Sequence, residues 1–468
     1  MKFTKKQRVY ALIALFFLYS IVLVKLVSPT SFVARLHDPA LSRFIENYKL
    51  LRENWLFFTS DEEVLNAATQ AMTNSNLEND RYTEYISSEN SSAFLNTMNS
   101  SFVGIGIEFF STPDYPIVTN VIPNAPAFRA GMQIGDIITK VDGQDIRGLN
   151  SSQLRDIVIG EANTVVDLTV ERGNNTVQLP ITRAAIDSSL NFQMLEDHIG
   201  YISINQFSTT TDTELLNALN YMNENNVEKL VLDLRNNPGG RLDTLERMLD
   251  LFLPANKIVL QARDNRGNII QYKTTNNNVV YDKEMVILVN SNSASAAEAF
   301  TAAMSEQLDV PVFGQRTFGK GIMQNFFTFP DDSILKYTNA EWLSPNGNSI
   351  NRDGILPSHV IELSQAQQAA RLGMQVSEDI KYDTVNSNLI PFQKVLNMLG
   401  FNPGREDGYF SQQTRNALNQ FKLQNNLTNE TDLSTRVQSR LISNVLVAAN
   451  TRSNDATLNA AINYLLNN

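Results

Sequence analysis

Apolar positions run nearly continuously near the start of the chain, then fall at helical spacing, then in short strands, then in strand–helix alternation, and finally in helical stripes again. This run, interrupted by Ser20, spans Val9 to Val24 and continues past Lys25 to Val27, long enough to cross a bilayer, with Lys25 placed to snorkel at its outer end. Lys2, Lys5, Lys6 and Arg8 precede it, the order of a secretory signal or a signal anchor. No small-x-small cleavage site follows, and Pro29 sits where cleavage would fall. The expectation is an uncleaved anchor over 1–30, basic flank inside, with the bulk of the chain extracytoplasmic in a single-pass cell-membrane protein.

From 31 to 98 the pattern predicts helices. Leu41, Phe44, Ile45, Tyr48 and Leu51 recur at helical spacing, and Asp61-Glu62-Glu63 begins a second run with an acidic first turn. From Phe102 the period shortens to strands at 104–109 and 116–118, and strands return at Val165–Glu171 and Val177–Ile181. Between 187 and 365, strands and helices alternate: a strand at Gly200–Ile204, a helix over Asp212–Asn223, a buried strand at Leu230–Arg235, then Val286–Val289 and an alanine-rich helix over Ala296–Met304. That order argues an α/β core. Strands follow at Phe326–Phe329 and Leu335–Trp342. Residues 366–388 are glutamine-rich and polar, a linker pattern. Phe392, Val395, Leu396 and Leu399, then Thr414, Ala417, Leu418 and Phe421, form two helical stripes within 389–442. A tail over 443–468 ends in an amphipathic helix from 455. The fold class expected is multidomain α+β.

Composition narrows the chemistry. The 468 residues carry a formal net charge of −11, which disfavours nucleic acid as a partner. There is no cysteine, so disulfides and thiolate metal sites are excluded, and the three histidines (His37, His198 and His359) form no HExxH or close pair. No metal and no other cofactor is expected.

The candidate chemistry sits where the Val286–Val289 strand gives way to the alanine-rich helix, through Ser291, Asn292, Ser293, Ala294 and Ser295. A serine at a helix N-terminus meets unpaired N–H groups and a dipole that favours negative charge, a good place for a nucleophile whose substrate becomes an oxyanion. Ser295-Ala-Ala-Glu298 also fits a capping box, and most serines before helices are caps. Two further residues shift the balance. Lys320 lies in Gly319-Lys320-Gly321, and Gln324 follows four positions later, a spacing that shares a face on a helix or a strand. Serine needs a base, and lysine can be one if burial holds it neutral. Bringing a lysine from ~10.4 to near neutrality takes roughly 4 kcal/mol of desolvation. A glutamine carbonyl could orient that amine without restoring its charge.

Together, NSASAAE and the downstream TFGKGIMQ resemble the carboxyl-terminal processing peptidases, serine proteases with a Ser–Lys–Gln site. The resemblance implies Ser295 as nucleophile, ahead of its neighbours Ser291 and Ser293, with Lys320 as base and Gln324 as its orienting partner. It implies that the turn Asn236-Asn237-Pro238-Gly239-Gly240 supplies one oxyanion donor through Gly240, the second being the N–H of Ala296. The segment 99–186, with Gly104-Ile105-Gly106-Ile107 and the ordered AxRAGxxxGDxIxxVDG, is similar to a PDZ domain. Backbone N–H groups at Gly104, Ile105, Gly106 and Ile107 could hold a peptide carboxylate, and the isoleucines suggest an apolar protein C-terminus. Residues 389–442 are similar to a small peptidoglycan-binding module, and a homodimer is implied by the family alone. Leu343-Ser344-Pro345 and Ser358 depart from the family's usual residues outside the proposed site. The function implied is an extracytoplasmic serine endopeptidase that captures protein C-terminal tails. The alternative is an inactive PDZ and cell-wall tethering scaffold.

Overall fold

The computed structural model describes residues 38–74, 78–98, 103–186, 189–195, 198–275 and 279–468. The expected anchor, with its basic flank, lies outside the described residues. Among the described residues no helix is long and apolar enough to cross a membrane. The chain divides into two units, Met1–Ser87 and Ser88–Asn468.

In the first unit, Asp38 caps the helix Pro39–Asn54 by accepting from Ala40 N at 2.7 Å, and Pro39 occupies the first turn, where its missing N–H costs nothing. A second helix, Asp61–Asn74, is tied to the first by Tyr48 Oη donating to Asp61 Oδ1 at 2.6 Å and by an Arg52–Asp61 ion pair. The predicted stripe forms, but Leu41, Phe44, Ile45 and Leu51 all stay exposed. A short strand, Glu84–Ile86, interrupts the helical reading.

In the second unit, the segment expected to be PDZ-like forms an antiparallel sheet from Ile107–Phe110, Ile117–Val121, Ile137–Val141, Val165–Arg172 and Asn175–Thr182. The helix Ser151–Val158 is capped reciprocally by Asn150 and Gln153 and lays Leu154 and Val158 on that sheet.

The central sheet runs Leu190–Met194, Ile199–Ile204, Lys229–Asp233, Glu284–Val289, Val312–Gly314, His359–Val360, parallel except for its first pair. Strands buried on both faces need apolar residues throughout, which explains the unbroken Val286–Val289 run. Ile287 and Val289 join the core formed with the helices Thr211–Glu224, Leu242–Leu249 and Ala296–Leu308. Val286 and Leu288 face the other way, with Ile199, Val231 and Phe313, under Leu458, Ala461 and Leu465 of the terminal helix Ala456–Asn467. A separate antiparallel sheet pairs Ile322–Thr328 with Ile334–Leu343, and that strand with Ile258–Asp264.

Two readings of the C-terminal third need correction. Residues 366–388 are not a tether: Gln365–Ala370 is a helix burying Ala366 and Ala369, Ile380 bridges to Leu433, and Val385 bridges to Tyr409. The division at 442/443 falls inside one helix, Thr435–Ala449. The helices Leu389–Met398, Gln412–Gln424 and Thr435–Ala449 share a continuous apolar core with the PDZ-like sheet.

Candidate active site

Two turns meet at the carboxyl ends of adjacent parallel strands, Lys229–Asp233 and Glu284–Val289, where open α/β sheets place their ligands. Asparagines lace them together. Asn290 Oδ1 accepts from Asn236 N at 3.0 Å, and Asn290 Nδ2 donates back to Asn236 Oδ1 at 2.9 Å. Ser293 is fully buried and its hydroxyl donates to Leu234 O at 2.8 Å while accepting from Asn290 N at 2.9 Å. That hydroxyl is spent on structure. Ser291 is exposed on the turn, whereas Ser295 is half-buried at the mouth of the Ala296–Leu308 helix.

Ser295 has φ 57° and ψ −117°, a conformation side chains other than glycine rarely adopt and one that stores of order 1–3 kcal/mol of strain. The sharp strand-to-helix turn of a nucleophile elbow has the same consequence, projecting a serine hydroxyl away from the sheet. Here the space it needs comes from the other turn. A Cβ on Gly239 would stand 2.8 Å from Ala294 O, Ala296 N and Ser295 Cβ alike. Gly239 N is used internally, donating to Asn237 Oδ1 at 2.8 Å. Among the described residues, the N–H groups of Gly240 and Ala296 donate to no protein acceptor.

Glu298 occupies the third helical position and is fully buried. Oε2 accepts from Ser295 N at 2.8 Å and from Lys320 N at 2.9 Å. Oε1 accepts from Gly319 N at 2.7 Å and from Thr317 Oγ1 at 2.5 Å. One carboxylate therefore fixes the backbone of both the serine and the lysine. Burial pushes the Glu298 carboxyl above the usual glutamate range, and the four donors hold it down. Sequence spacing showed Glu298 only as a capping residue; its hold on Thr317 to Lys320 had no local signal.

The glycines beside Lys320 are set by close approach. A Cβ on Gly319, at φ +85°, would meet Arg352 C at 2.8 Å, and one on Gly321 would meet Asn351 N at 2.6 Å. Trp342 Nε1 donates to Lys320 O at 2.9 Å, fixing the lysine from the far side. Gln324 lies on the strand Ile322–Thr328 opposite Thr338, which settles the helix-or-strand question in favour of the strand. Its Nε2 is buried with no partner among the described residues. Ser295, Ala296, Lys320, Gln324, Gly239 and Gly240 all line one cavity of about 760 Å³.

In the PDZ-like segment, Gly104 pairs with Ala184 and Ile107 opens the strand facing Val121. The carbonyls of Ile105 and Gly106 accept from Ala127 N at 2.8 Å and Ile122 N at 2.9 Å, while their N–H groups have no acceptor among the described residues. Gly106 has φ +80°, and a Cβ there would lie 2.3 Å from Ala125 Cβ. Ile105 is 2% exposed, so its side chain belongs to the core rather than to a ligand groove. Of the two isoleucines only the half-buried Ile107 can offer apolar contact.

Comparison with known proteins gives this geometry a family. The profile of peptidase family S41 matches residues 198–361, that of the PDZ domain 117–172, and that of a peptidoglycan binding domain 386–431. The chain is 32% identical over 432 residues to the "Probable CtpA-like serine protease" of Staphylococcus aureus (strain bovine RF122 / ET3-1), covering 92% of this chain and 86% of that protein. It is 35% identical over 353 residues to the protein of the same name from Staphylococcus haemolyticus (strain JCSC1435), covering 75% of this chain and 70% of that one. Among solved structures it is similar to the photosystem II D1 C-terminal processing protease, at 25% identity and a TM-score of 0.45, covering 67% of this chain and 86% of that one. The chain belongs to peptidase family S41 and is a serine-type endopeptidase carrying a PDZ domain and a peptidoglycan-binding-like domain.

Proposed function

We propose that this endopeptidase cleaves protein substrates by a Ser295–Lys320–Gln324 mechanism, its PDZ domain delivering their C-terminal tails. The neutral amine of Lys320 takes the proton of Ser295, whose Oγ attacks the peptide carbonyl. The N–H groups of Gly240 and Ala296 receive the developing oxyanion. As the tetrahedral intermediate collapses, the Lys320 ammonium returns its proton to the leaving amine, and water releases the acyl-enzyme. The carbonyl of Gln324 accepts from the Lys320 amine and orients it.

The observation that carries this reading is the Glu298 carboxylate, which holds the backbones of Ser295 and Lys320 on the same oxygen beside a shared cavity. The strained Ser295 backbone adds to it, as do the N–H groups of Gly240 and Ala296, which have no acceptor among the described residues. Ser295→Ala and Lys320→Ala should each abolish cleavage of an unfolded protein such as casein while the melting temperature stays near that of the wild type. Full activity in either variant would overturn the assignment.

Delivery is supported by the N–H groups of Ile105 and Gly106, which have no acceptor among the described residues and, with Gly104 and Ile107 flanking them, would seat a terminal carboxylate. The basic-then-apolar segment 1–30 supports a single-pass anchor in the cell membrane with the catalytic domains outside the cytoplasm, where the 386–431 domain would meet peptidoglycan. The exposed Leu41, Phe44, Ile45 and Leu51 stripe supports pairing with a second copy of the chain. A monomer at micromolar concentration in light scattering would remove that last part.

A further inference from the structure

The peptidase core as bounded by sequence lacks a residue that the structure pairs with the arginine preceding its oxyanion turn. Arg235 is the last residue before Asn236-Asn237-Pro238-Gly239-Gly240. Its guanidinium is shared by two carboxylates. Nη2 donates to Asp233 Oδ2 at 2.6 Å, and Nε reaches both Asp233 oxygens at 3.0 Å. From the far end of the chain, Asp455 accepts from Nη1 at 2.7 Å and from Nη2 at 2.9 Å, a bidentate pair. The side chains of Arg235, Asp233 and Asp455 are 17%, 5% and 19% exposed, so water does little to screen them.

Asp455 stands on a firm support. It caps the terminal helix Ala456–Asn467 by accepting from Leu458 N at 3.1 Å, and that helix is packed onto the central sheet through Leu458, Ala461 and Leu465. Arg235 is thus held from its own strand by Asp233 and from outside by Asp455. The turn that follows has little other freedom. Asn237 Nδ2 donates to Ile204 O at 2.7 Å, and a Cβ on Gly240 would come within 2.2 Å of Phe207 O.

We propose that Asp455 is a positioning residue for the oxyanion turn, acting through Arg235. The inference rests on Gly240 serving as an oxyanion donor, as in the function proposed above. It makes the cap of the C-terminal helix part of the peptidase, and it means that losing the Asp455–Arg235 pair changes the rate of the chemical step.

The test is Asp455→Asn in the full chain, which keeps the shape and removes the charge. Steady-state cleavage should lose about 10-fold to 100-fold in kcat with KM unchanged, the cost of a slightly misplaced donor. A peptide boronate, whose tetrahedral adduct on Ser295 puts an oxygen in the oxyanion position, should bind more weakly by a similar factor. Leu465→Ala loosens the same helix without touching Arg235. It should lower the melting temperature, yet leave kcat and boronate affinity at wild-type values when assayed well below both melting points. Wild-type kcat and boronate affinity in Asp455→Asn overturn the proposal, and so does an equal loss in Leu465→Ala, which would reduce Asp455 to a packing role. If the wild-type enzyme forms no boronate adduct on Ser295, the nucleophile assignment itself fails, and this inference with it.

Discussion

Gly239 and Ser295 belong to different turns, yet a Cβ on the glycine would sit 2.8 Å from the Cβ of the serine. The serine's strained backbone leaves no room to yield, and Gly239 itself has φ +97°. Gly239→Ala should therefore displace the serine and lose on the order of 100-fold in kcat. The strained glycine position should also lower unfolding free energy by about 1–3 kcal/mol. Cleavage kinetics together with a urea titration check both, and near-normal turnover would show that the two turns can part without harm.

Glu298→Gln presents an amide nitrogen to backbone N–H groups that now meet a carboxylate oxygen. At least one donor pair loses its acceptor, costing about 2 kcal/mol. Because those donors are the backbones of Ser295, Gly319 and Lys320, kcat should fall at least about 10-fold, with KM little changed. Unaltered kcat in a destabilised variant would make Glu298 a capping residue and nothing more.

The Thr435–Ala449 helix docks on the PDZ sheet through buried charge. Arg440, with a 4% exposed side chain, donates to Glu171 Oε2 at 2.6 Å and to Gly173 O, and Arg436 pairs with Glu171 and with the 1% exposed Asp114. Arg440→Met keeps the stem and deletes the charge, leaving Glu171 undercompensated. A loss of about 3 kcal/mol is expected, with faster hydrogen exchange along Val165–Arg172. Affinity for a C-terminal peptide should not change, since Gly104 to Ile107 lie elsewhere in the domain. Unchanged exchange would mean the domains are held by apolar contact alone.

Acid should separate wild type from Asp455→Asn. Burial pushes the Asp455 carboxyl up, but hydrogen bonds and charge from Arg235 outweigh it, helped by Leu458 N and Arg452, so its pKa ends below the usual aspartate value. A depressed carboxyl contributes stability that is present above the unfolded value, ~3.9, and lost as pH falls through the folded one. The stability gap between the two proteins should be widest near neutrality and shrink on acidification below that unfolded value. Urea unfolding at pH 7 and pH 3 measures it, and a gap of constant size would contradict the ion-pair account.

Much of the fold could be read from the chain because its signals are local. Period-two and period-3.6 runs located the helices Pro39–Asn54 and Asp61–Asn74, the strands of the PDZ-like sheet and the alternation of the core. The candidate site was visible as spacing: a serine before an alanine-rich helix, a lysine between glycines, a glutamine four positions on. Other features had no local signal. Ile105 reads as a groove residue beside its glycines and is buried instead, because it lies in the turn between the strands Val103–Gly104 and Ile107–Phe110, and which way a turn residue points depends on what covers it. The polar composition of 366–388 suggests a tether, yet helix capping by Ser364 and bridges to Leu433 and Tyr409 fasten it down.

What the sequence determined by itself was the kind of chemistry and the elements that carry it, since both follow from residues close together along the chain. Only tertiary structure decided how those elements were joined. It spent the Ser293 hydroxyl on Leu234, made room for Ser295 with a glycine from another turn, put the Ser295 and Lys320 turns on one carboxylate, and closed the outer face of the central sheet with the terminal helix Ala456–Asn467. An amphipathic stripe states that something must cover it. It does not say what, because apolar contact has no direction and the partner is chosen by shape and by where the rest of the chain has already folded.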